Sequence, residues 1–231
     1  ENVVLGAGSG ELLECATQAF TSKSKGLVTA APSYGAPAGT ARQIGSPVTE
    51  IPVDQGGKLD LDKMVAAATG AGLVFVCNPN NPTGTLVPGT ELRPFLKDMA
   101  GRTTVLVDEA YLDLWEDWPA HTATERVRAG DPVIVTRTFS KLHGMAGLRV
   151  GYALAPPDII QRPGVFPGPT AGGPGDHHRG PPGTEAASRG GGAGQFRLFR
   201  HGRPPGGLQC GHAARRLPGR PALSPLRLLV P

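Results

Sequence analysis

Apolar residues in the first 160 positions gather into short runs separated by stretches with helical spacing. Runs rich in Val, Ile, Leu and Ala occupy 3–5, 27–31, 48–53, 73–77, 103–107, 133–137 and 149–155. Most are continuous rather than alternating, the pattern of strands covered on both faces. In the stretch 10–20, Leu12, Leu13, Ala16 and Phe20 form one stripe. Glu11 and Glu14 stand near its start, where the helix dipole favours acids. Stretches 36–44, 59–69, 90–100 and 122–129 predict further helices. Strand alternating with helix predicts an α/β domain over 1–160, with a mostly parallel sheet and helices on both faces.

From about residue 161 the pattern stops. The last 71 residues hold 16 Gly, 12 Pro and 10 Arg, and contain no Ile, Lys, Met, Asn, Trp or Tyr. Glycine costs chain entropy and proline breaks ladders, so no packed core is expected over 161–231. Such a composition fits a disordered tail with an acidic partner, or an out-of-frame translation of GC-rich codons. The change follows Ala155-Pro156-Pro157-Asp158-Ile159-Ile160 without a linker, which favours the second reading.

The formal charge of +4 divides unevenly: residues 1–160 hold 13 Lys+Arg against 17 Asp+Glu, while the tail holds 10 Arg against two acids. The basic excess therefore belongs to the tail. No aromatic interleaving or nucleic-acid motif accompanies it, and no nucleic-acid partner is expected. No run of about 18 apolar residues occurs, so no membrane span is expected. Cys15, Cys77 and Cys210 lack paired spacing, and His177, His178 and His212 lie in the tail without a partner cluster. Neither a disulfide nor a metal site is expected, and a reducing, cytoplasmic compartment is. The chain opens Glu1-Asn2-Val3-Val4, without the basic and apolar segments of a signal peptide.

Four motifs stand at strand ends, where ligands bind in open α/β sheets. The first, Gly6-Ala7-Gly8-Ser9-Gly10-Glu11, runs from strand into helix. Small residues there let backbone N–H groups approach a phosphate, although such a turn is often plain geometry. The second, Asn78-Pro79-Asn80-Asn81-Pro82-Thr83-Gly84, carries more than a turn needs. The third, Asp108-Glu109-Ala110-Tyr111, puts an acid at a strand terminus; beneath a pyridine ring it would keep the ring nitrogen protonated. The fourth, Thr138-Phe139-Ser140-Lys141-Leu142-His143-Gly144-Met145-Ala146-Gly147-Leu148-Arg149, flanks a lysine with hydroxyls and places an arginine eight residues on. That set fits a Schiff-base lysine beside a phosphate clamp. Such a lysine must spend time as a neutral amine, which partial burial beside Arg149 would favour.

In this order, with Ala31-Pro32-Ser33-Tyr34-Gly35 between the first and second, the motifs resemble those of fold-type-I, class I/II aminotransferases that use pyridoxal 5'-phosphate (PLP), nearest the histidinol-phosphate branch. The resemblance covers about 1–160. It implies the large, PLP-binding domain, a seven-stranded, mostly parallel sheet whose last strand is antiparallel, with the family's N-terminal arm missing. It further implies that Lys141 carries the cofactor and shuttles the substrate proton, and that Asp108 pairs with the ring nitrogen. Tyr111 and Asn81 would bond the ring's O3′, and Tyr34 would stack on its face. The backbone of Ala7, Gly8 and Ser9, with Thr138, Ser140 and Arg149, would hold the phosphate. An amino acid and a 2-oxo acid are the implied substrates, with L-histidinol phosphate and 2-oxoglutarate the expected pair, and a homodimer the expected assembly. Another amino donor, a related PLP decarboxylase, or an inactive remnant of an interrupted gene are the alternatives. The family's substrate-carboxylate arginine lies in a small domain that maps onto no residue of 161–231. Cys15, Cys77, Trp115 and Trp118 read as packing residues, and His143 as a peripheral contact.

Overall fold

The computed structural model describes residues 2–162 and 164–166. Seven strands, β1 (Val3–Ala7), β2 (Leu27–Ala31), β3 (Val48–Pro52), β4 (Leu73–Cys77), β5 (Thr104–Asp108), β6 (Val133–Thr138) and β7 (Val150–Leu154), form one sheet ordered β1-β7-β6-β5-β4-β2-β3. Six helices, α1 (Ser9–Phe20), α2 (Ala36–Gln43), α3 (Leu61–Ala67), α4 (Gly89–Met99), α5 (Thr124–Arg128) and α6 (Pro157–Ile160), alternate with them. The pairings β2–β3, β2–β4, β4–β5 and β5–β6 are parallel, whereas β7 runs antiparallel to both β6 and β1. The expected seven-stranded α/β architecture is therefore present, and the strand expected to run backwards does so.

Burial follows position in the sheet. The central strands β4, β5 and β6 are buried along their whole length, which is why their sequences read as unbroken apolar runs. Edge strand β3 carries Thr49 and Glu50 outward and ends on Pro52, which an edge tolerates because no neighbour needs its missing N–H. On one face Leu12, Leu13 and Ala16 of α1, Ala38 and Ala41 of α2 and Ile159 of α6 pack on Leu73, Phe75, Leu106 and Ile134. On the other, Met64 of α3, Leu92 and Leu96 of α4 and Val127 of α5 pack on Val74, Val76, Val105, Val107, Val133 and Val135. Each fully buried Leu contributes about 1.5–3 kcal/mol.

Several boundaries differ from expectation for local reasons. Helix α3 begins at Leu61 because the Asp60 carboxylate caps it, accepting from the Lys63 N–H at 3.1 Å. Helix α5 begins at Thr124, not 122, because the Thr122 hydroxyl and Ala123 N–H donate to Glu109 instead. Single 3₁₀ turns at Leu112–Leu114, Trp118–Ala120 and Ala146–Leu148 carry no apolar periodicity that could have announced them. Packing also runs past the expected break at 160, since Val165 is buried and Phe166 rests on the α1 side of the core. Residues 167–231, to which most of the coreless-tail reading applies, lie outside the described residues. No helix among the described residues is long and apolar enough to cross a membrane.

Two glycines test this packing in opposite directions. A Cβ on Gly151 of β7 would fall on the Ser9 nitrogen and the Gly8 backbone, whereas one on Gly39 within α2 would meet nothing within 4 Å. Gly151→Ala should destabilise the chain by about 1–3 kcal/mol or more. Gly39→Ala should stabilise it by about 0.5–1 kcal/mol. Urea-denaturation midpoints of the two variants moving in the same direction would contradict this arrangement.

Candidate functional site

In a mostly parallel sheet the carboxyl ends of β1, β2, β4, β5 and β6 share one edge. Because β7 is antiparallel, its amino end shares that edge too. The register pairs Ala7 with Val150 and Thr138 with Gly151, so Arg149, immediately before β7, lies between the ends of β1 and β6. The chain turns into β7 with Arg149 in the left-handed region, at φ 52° and ψ 54°.

This placement builds an anion cradle. Gly8, whose φ of 81° suits glycine, immediately precedes helix α1, and no side chain caps the helix's free N–H groups. Glu11 turns back to accept the Ala7 N–H at 2.6 Å, and the Gly8 N–H donates to the Gly6 carbonyl at 2.8 Å. Of the three residues expected to offer backbone N–H groups, only Ser9 therefore has one without a partner among the described residues. The Arg149 guanidinium closes the opening, donating to the Ala7 carbonyl at 3.0 Å, the Ala146 carbonyl at 3.2 Å and the Ser140 hydroxyl at 3.4 Å. A Cβ on Gly8 would strike that guanidinium. Thr138 is buried, and its hydroxyl accepts the Ser140 N–H at 3.1 Å, shaping the turn before Lys141. Positive helix end, guanidinium and hydroxyls therefore converge at one point, a ready arrangement for a phosphate.

Beside the cradle stand an amine and a buried acid. The Lys141 Nζ lies 5.0 Å from the centre of the Tyr111 ring. Lys141 is exposed, which corrects the expectation of partial burial: the loop 141–149 stands in solvent along its length among the described residues. Asp108, at the end of β5, is 4 % exposed and accepts from the Thr136 hydroxyl at 2.9 Å. Burial pushes its carboxyl up from 3.8 to about 6, against the opposing pull of the Thr136 hydroxyl, the Ala110 N–H and the Lys141 charge. Burial, followed by the negative Asp108, also raises the phenol of Tyr34, a half-exposed ring on the loop after β2.

The asparagine-rich loop after β4 divides its labour. Asn78 donates to the Val87 carbonyl at 3.0 Å and accepts the Val87 N–H at 2.7 Å, while Asn80 bonds Pro32, Ser33 and Thr83. These two fix the loop. The Asn81 side chain makes no hydrogen bond among the described residues and is half-buried beside them. Cys77 is core, as expected, and burial raises its thiol. Cys15 is half-buried. His143 packs against Phe139, with ring centres 5.3 Å apart, and its Nε2 lies 3.9 Å from Asp113.

One group of residues escaped the sequence reading. Glu109 follows Asp108 but faces the opposite side of the sheet, where Arg137 donates to it from Nε at 2.9 Å and Nη2 at 2.7 Å. The Thr122 hydroxyl at 3.0 Å and the Ala123 N–H at 2.7 Å complete its shell. Arg137 also donates to Asp113 at 3.1 Å and lies 4.5 Å over the Trp118 ring. A signal was present: an arginine inside the apolar run 133–138 needs a buried partner.

The fold and this edge define a class. The family model for class I and II aminotransferases matches residues 1–164, and the chain belongs to that PLP-dependent, fold-type-I family. It is 39 % identical over 158 residues to histidinol-phosphate aminotransferase 1 of Cupriavidus pinatubonensis, covering 68 % of this chain and 42 % of the relative. It is 46 % identical over 120 residues to an aromatic amino acid aminotransferase of Mycolicibacterium vanbaalenii, covering 52 % of this chain and 34 % of the relative. Among solved structures, histidinol-phosphate aminotransferase of Sinorhizobium meliloti in complex with pyridoxal-5'-phosphate superposes with a TM-score of 0.64 at 29 % identity, covering 69 % of this chain and 44 % of that one. The chain thus spans less than half the length of the relatives it matches.

The unpaired state of Asp108 has a measurable cost. Its folded value near 6 exceeds its unfolded value near 3.8, so the folded chain keeps this proton longer. Stability is therefore lost as pH rises from about 4 to about 6, by about 3 kcal/mol at most. Asp108→Asn should raise the cofactor-free chain's urea midpoint at pH 7.5 and leave it nearly unchanged at pH 4. An equal shift at both values would show that the Asp108 charge carries no such cost.

Proposed function

We propose that this chain is the cofactor-binding part of a PLP-dependent transaminase and that Lys141 is its cofactor lysine. The observation that carries the reading is convergence on one sheet edge: the Arg149–Gly8–Ser9 cradle, the Lys141 amine beside Tyr111, and the buried acid Asp108. The residues fit a phosphorylated pyridine aldehyde. Gly8 leaves the room that a Cβ would fill against Arg149, and Asp108 is a buried carboxyl whose ionised form gains from a cationic ring nitrogen.

The Ser9 N–H at the start of α1, with Thr138, Ser140 and the Arg149 fork, would hold the phosphate, since the N–H groups of Ala7 and Gly8 are engaged by Glu11 and the Gly6 carbonyl. Asp108 would hold the proton on the ring nitrogen, with Thr136 fixing the carboxylate's direction. Tyr34 would cover one ring face, and Tyr111 and Asn81 would reach the O3′ oxygen. Bound PLP supplies an electron sink for the pair left behind when a proton leaves the substrate's α-carbon. The Lys141 amine would take that proton from the α-carbon and return it to the cofactor carbon on the other side of the amino nitrogen.

L-histidinol phosphate is the proposed amino donor and 2-oxoglutarate the proposed acceptor. The relatives from Cupriavidus and Sinorhizobium support this choice by name. The Mycolicibacterium relative supports an aromatic amino acid as the second reading. A homodimer in the cytoplasm completes the proposal, following the family resemblance.

With PLP added, the chain should gain visible absorbance, and borohydride should fix the label on the peptide carrying Lys141. Lys141→Ala should abolish that labelling, and undiminished labelling of this variant would remove Lys141 from the site. L-histidinol phosphate should discharge the absorbance faster than L-phenylalanine does. The reverse order would favour the aromatic reading.

A further inference from the structure

The site's reactive groups ride on two segments that hydrogen-bond little to each other directly. Tyr111 belongs to the loop 110–123, and Lys141 follows the end of β6. Between them lies the Glu109–Arg137 pair, on the sheet face opposite Asp108. Glu109 directly follows β5, its N–H donating to the Thr136 carbonyl of β6 at 2.9 Å. Its carboxylate accepts from Thr122 and Ala123 at the far end of the loop. Arg137, on β6 one residue before Thr138, binds Asp113 near the loop's start and lies over Trp118 at its middle. Asp113 also faces His143, two residues past Lys141. The loop is thereby held at its start, middle and end by one ion pair, whose Arg137 stands four residues before the lysine.

We infer that the Glu109–Arg137 pair is the positioning device that holds the Lys141 amine against Tyr111, by fixing the loop 110–123 and the end of β6 to a common buried anchor. The inference rests on the functional reading above and deepens it. The side chain of Glu109 is fully buried and that of Arg137 is 7 % exposed, so the pair does not slide in solvent as a surface pair would. The planar guanidinium matters as much as its charge. It meets Glu109 with two nitrogens and Asp113 with the third, a span that a lysine ammonium cannot reproduce. Lys141 itself is exposed, and its amine meets the Tyr111 ring, which belongs to the anchored loop. Its placement must come from the segment it hangs on.

Two ligands separate lysine placement from general integrity. On the functional reading, PLP is held by the cradle and the ring contacts and by condensation of the Lys141 amine with its aldehyde, which releases one water. Pyridoxamine 5'-phosphate carries an amine at that carbon, cannot condense with a lysine, and reports the non-covalent contacts alone. In the full chain, Arg137→Lys keeps the positive charge beside Glu109 and removes the fork. Asp113→Asn loosens one arm and keeps the variant set informative if Arg137→Lys does not fold. Both variants should capture PLP on Lys141 more slowly, by about tenfold or more for Arg137→Lys, because misplacing a reacting group by a fraction of an ångström costs on that order. Their affinity for pyridoxamine 5'-phosphate should be unchanged. PLP capture and pyridoxamine phosphate affinity falling in parallel would show that the pair only supports the fold and would overturn the inference. Unchanged PLP capture in both variants would overturn it as well. Failure of the unsubstituted chain to capture PLP on Lys141 would overturn the functional reading itself, before any variant is made.

Discussion

At Gly151 the backbone of β7, the strand antiparallel to both its neighbours, passes so close to the start of helix α1 that a single added carbon would clash with the Ser9 nitrogen. Three consequences follow from that approach. The free N–H groups of α1 lie level with the end of β6, so the phosphate cradle and the Lys141 turn share one edge. Arg149 reaches the Ala7 carbonyl and the Ser140 hydroxyl together. And because β7 runs backwards between β1 and β6, the residue before it arrives at the carboxyl edge rather than at the opposite end. A parallel seventh strand in the same place would send Arg149 to the far side of the sheet.

Electrostatics divides the neighbouring acids Asp108 and Glu109. Strand alternation turns them to opposite faces, so both are buried within one residue of each other yet live differently. Glu109 has a guanidinium, a hydroxyl and a backbone N–H, so its burial is compensated although burial still pushes its carboxyl up. Asp108 has one hydroxyl among side chains and remains an acid with a displaced proton equilibrium. A buried carboxyl left without a cation costs stability in the empty chain, and the same deficit favours a cationic ligand atom. Groups strained in this way mark functional sites.

Much of this was legible in the residues. Apolar runs announced each strand to within two residues, most plainly β4, β5 and β6, because strands buried on both faces leave no polar positions to confuse the pattern. Lys141, Asp108 and Arg149 stood out because their motifs carry more chemistry than a turn requires. Other features resist a linear reading. The start of α5 is displaced by Glu109, thirteen residues earlier, which takes the donors that periodicity assigns to a helix. Of the three asparagines between 78 and 81, two hold the loop and the half-buried third makes no side-chain hydrogen bond among the described residues, a division set by partners at Val87 and Pro32 far along the chain. Exposure of Lys141 could not be read from its flanking hydroxyls, since it depends on how the loop 141–149 leaves the sheet. Arg137 did carry a legible demand for a partner, but its identity came only from the loop's return to Thr122.

A crystal structure of the PLP complex would test the central claim, that a single ligand unites the cradle, the lysine and the acid. The account predicts continuous density from the Lys141 Nζ to the cofactor, the phosphate between the Gly8–Ser9 backbone and the Arg149 guanidinium, and the ring nitrogen on Asp108. Phosphate bound away from the start of α1, or a ring nitrogen facing anything but Asp108, would contradict it.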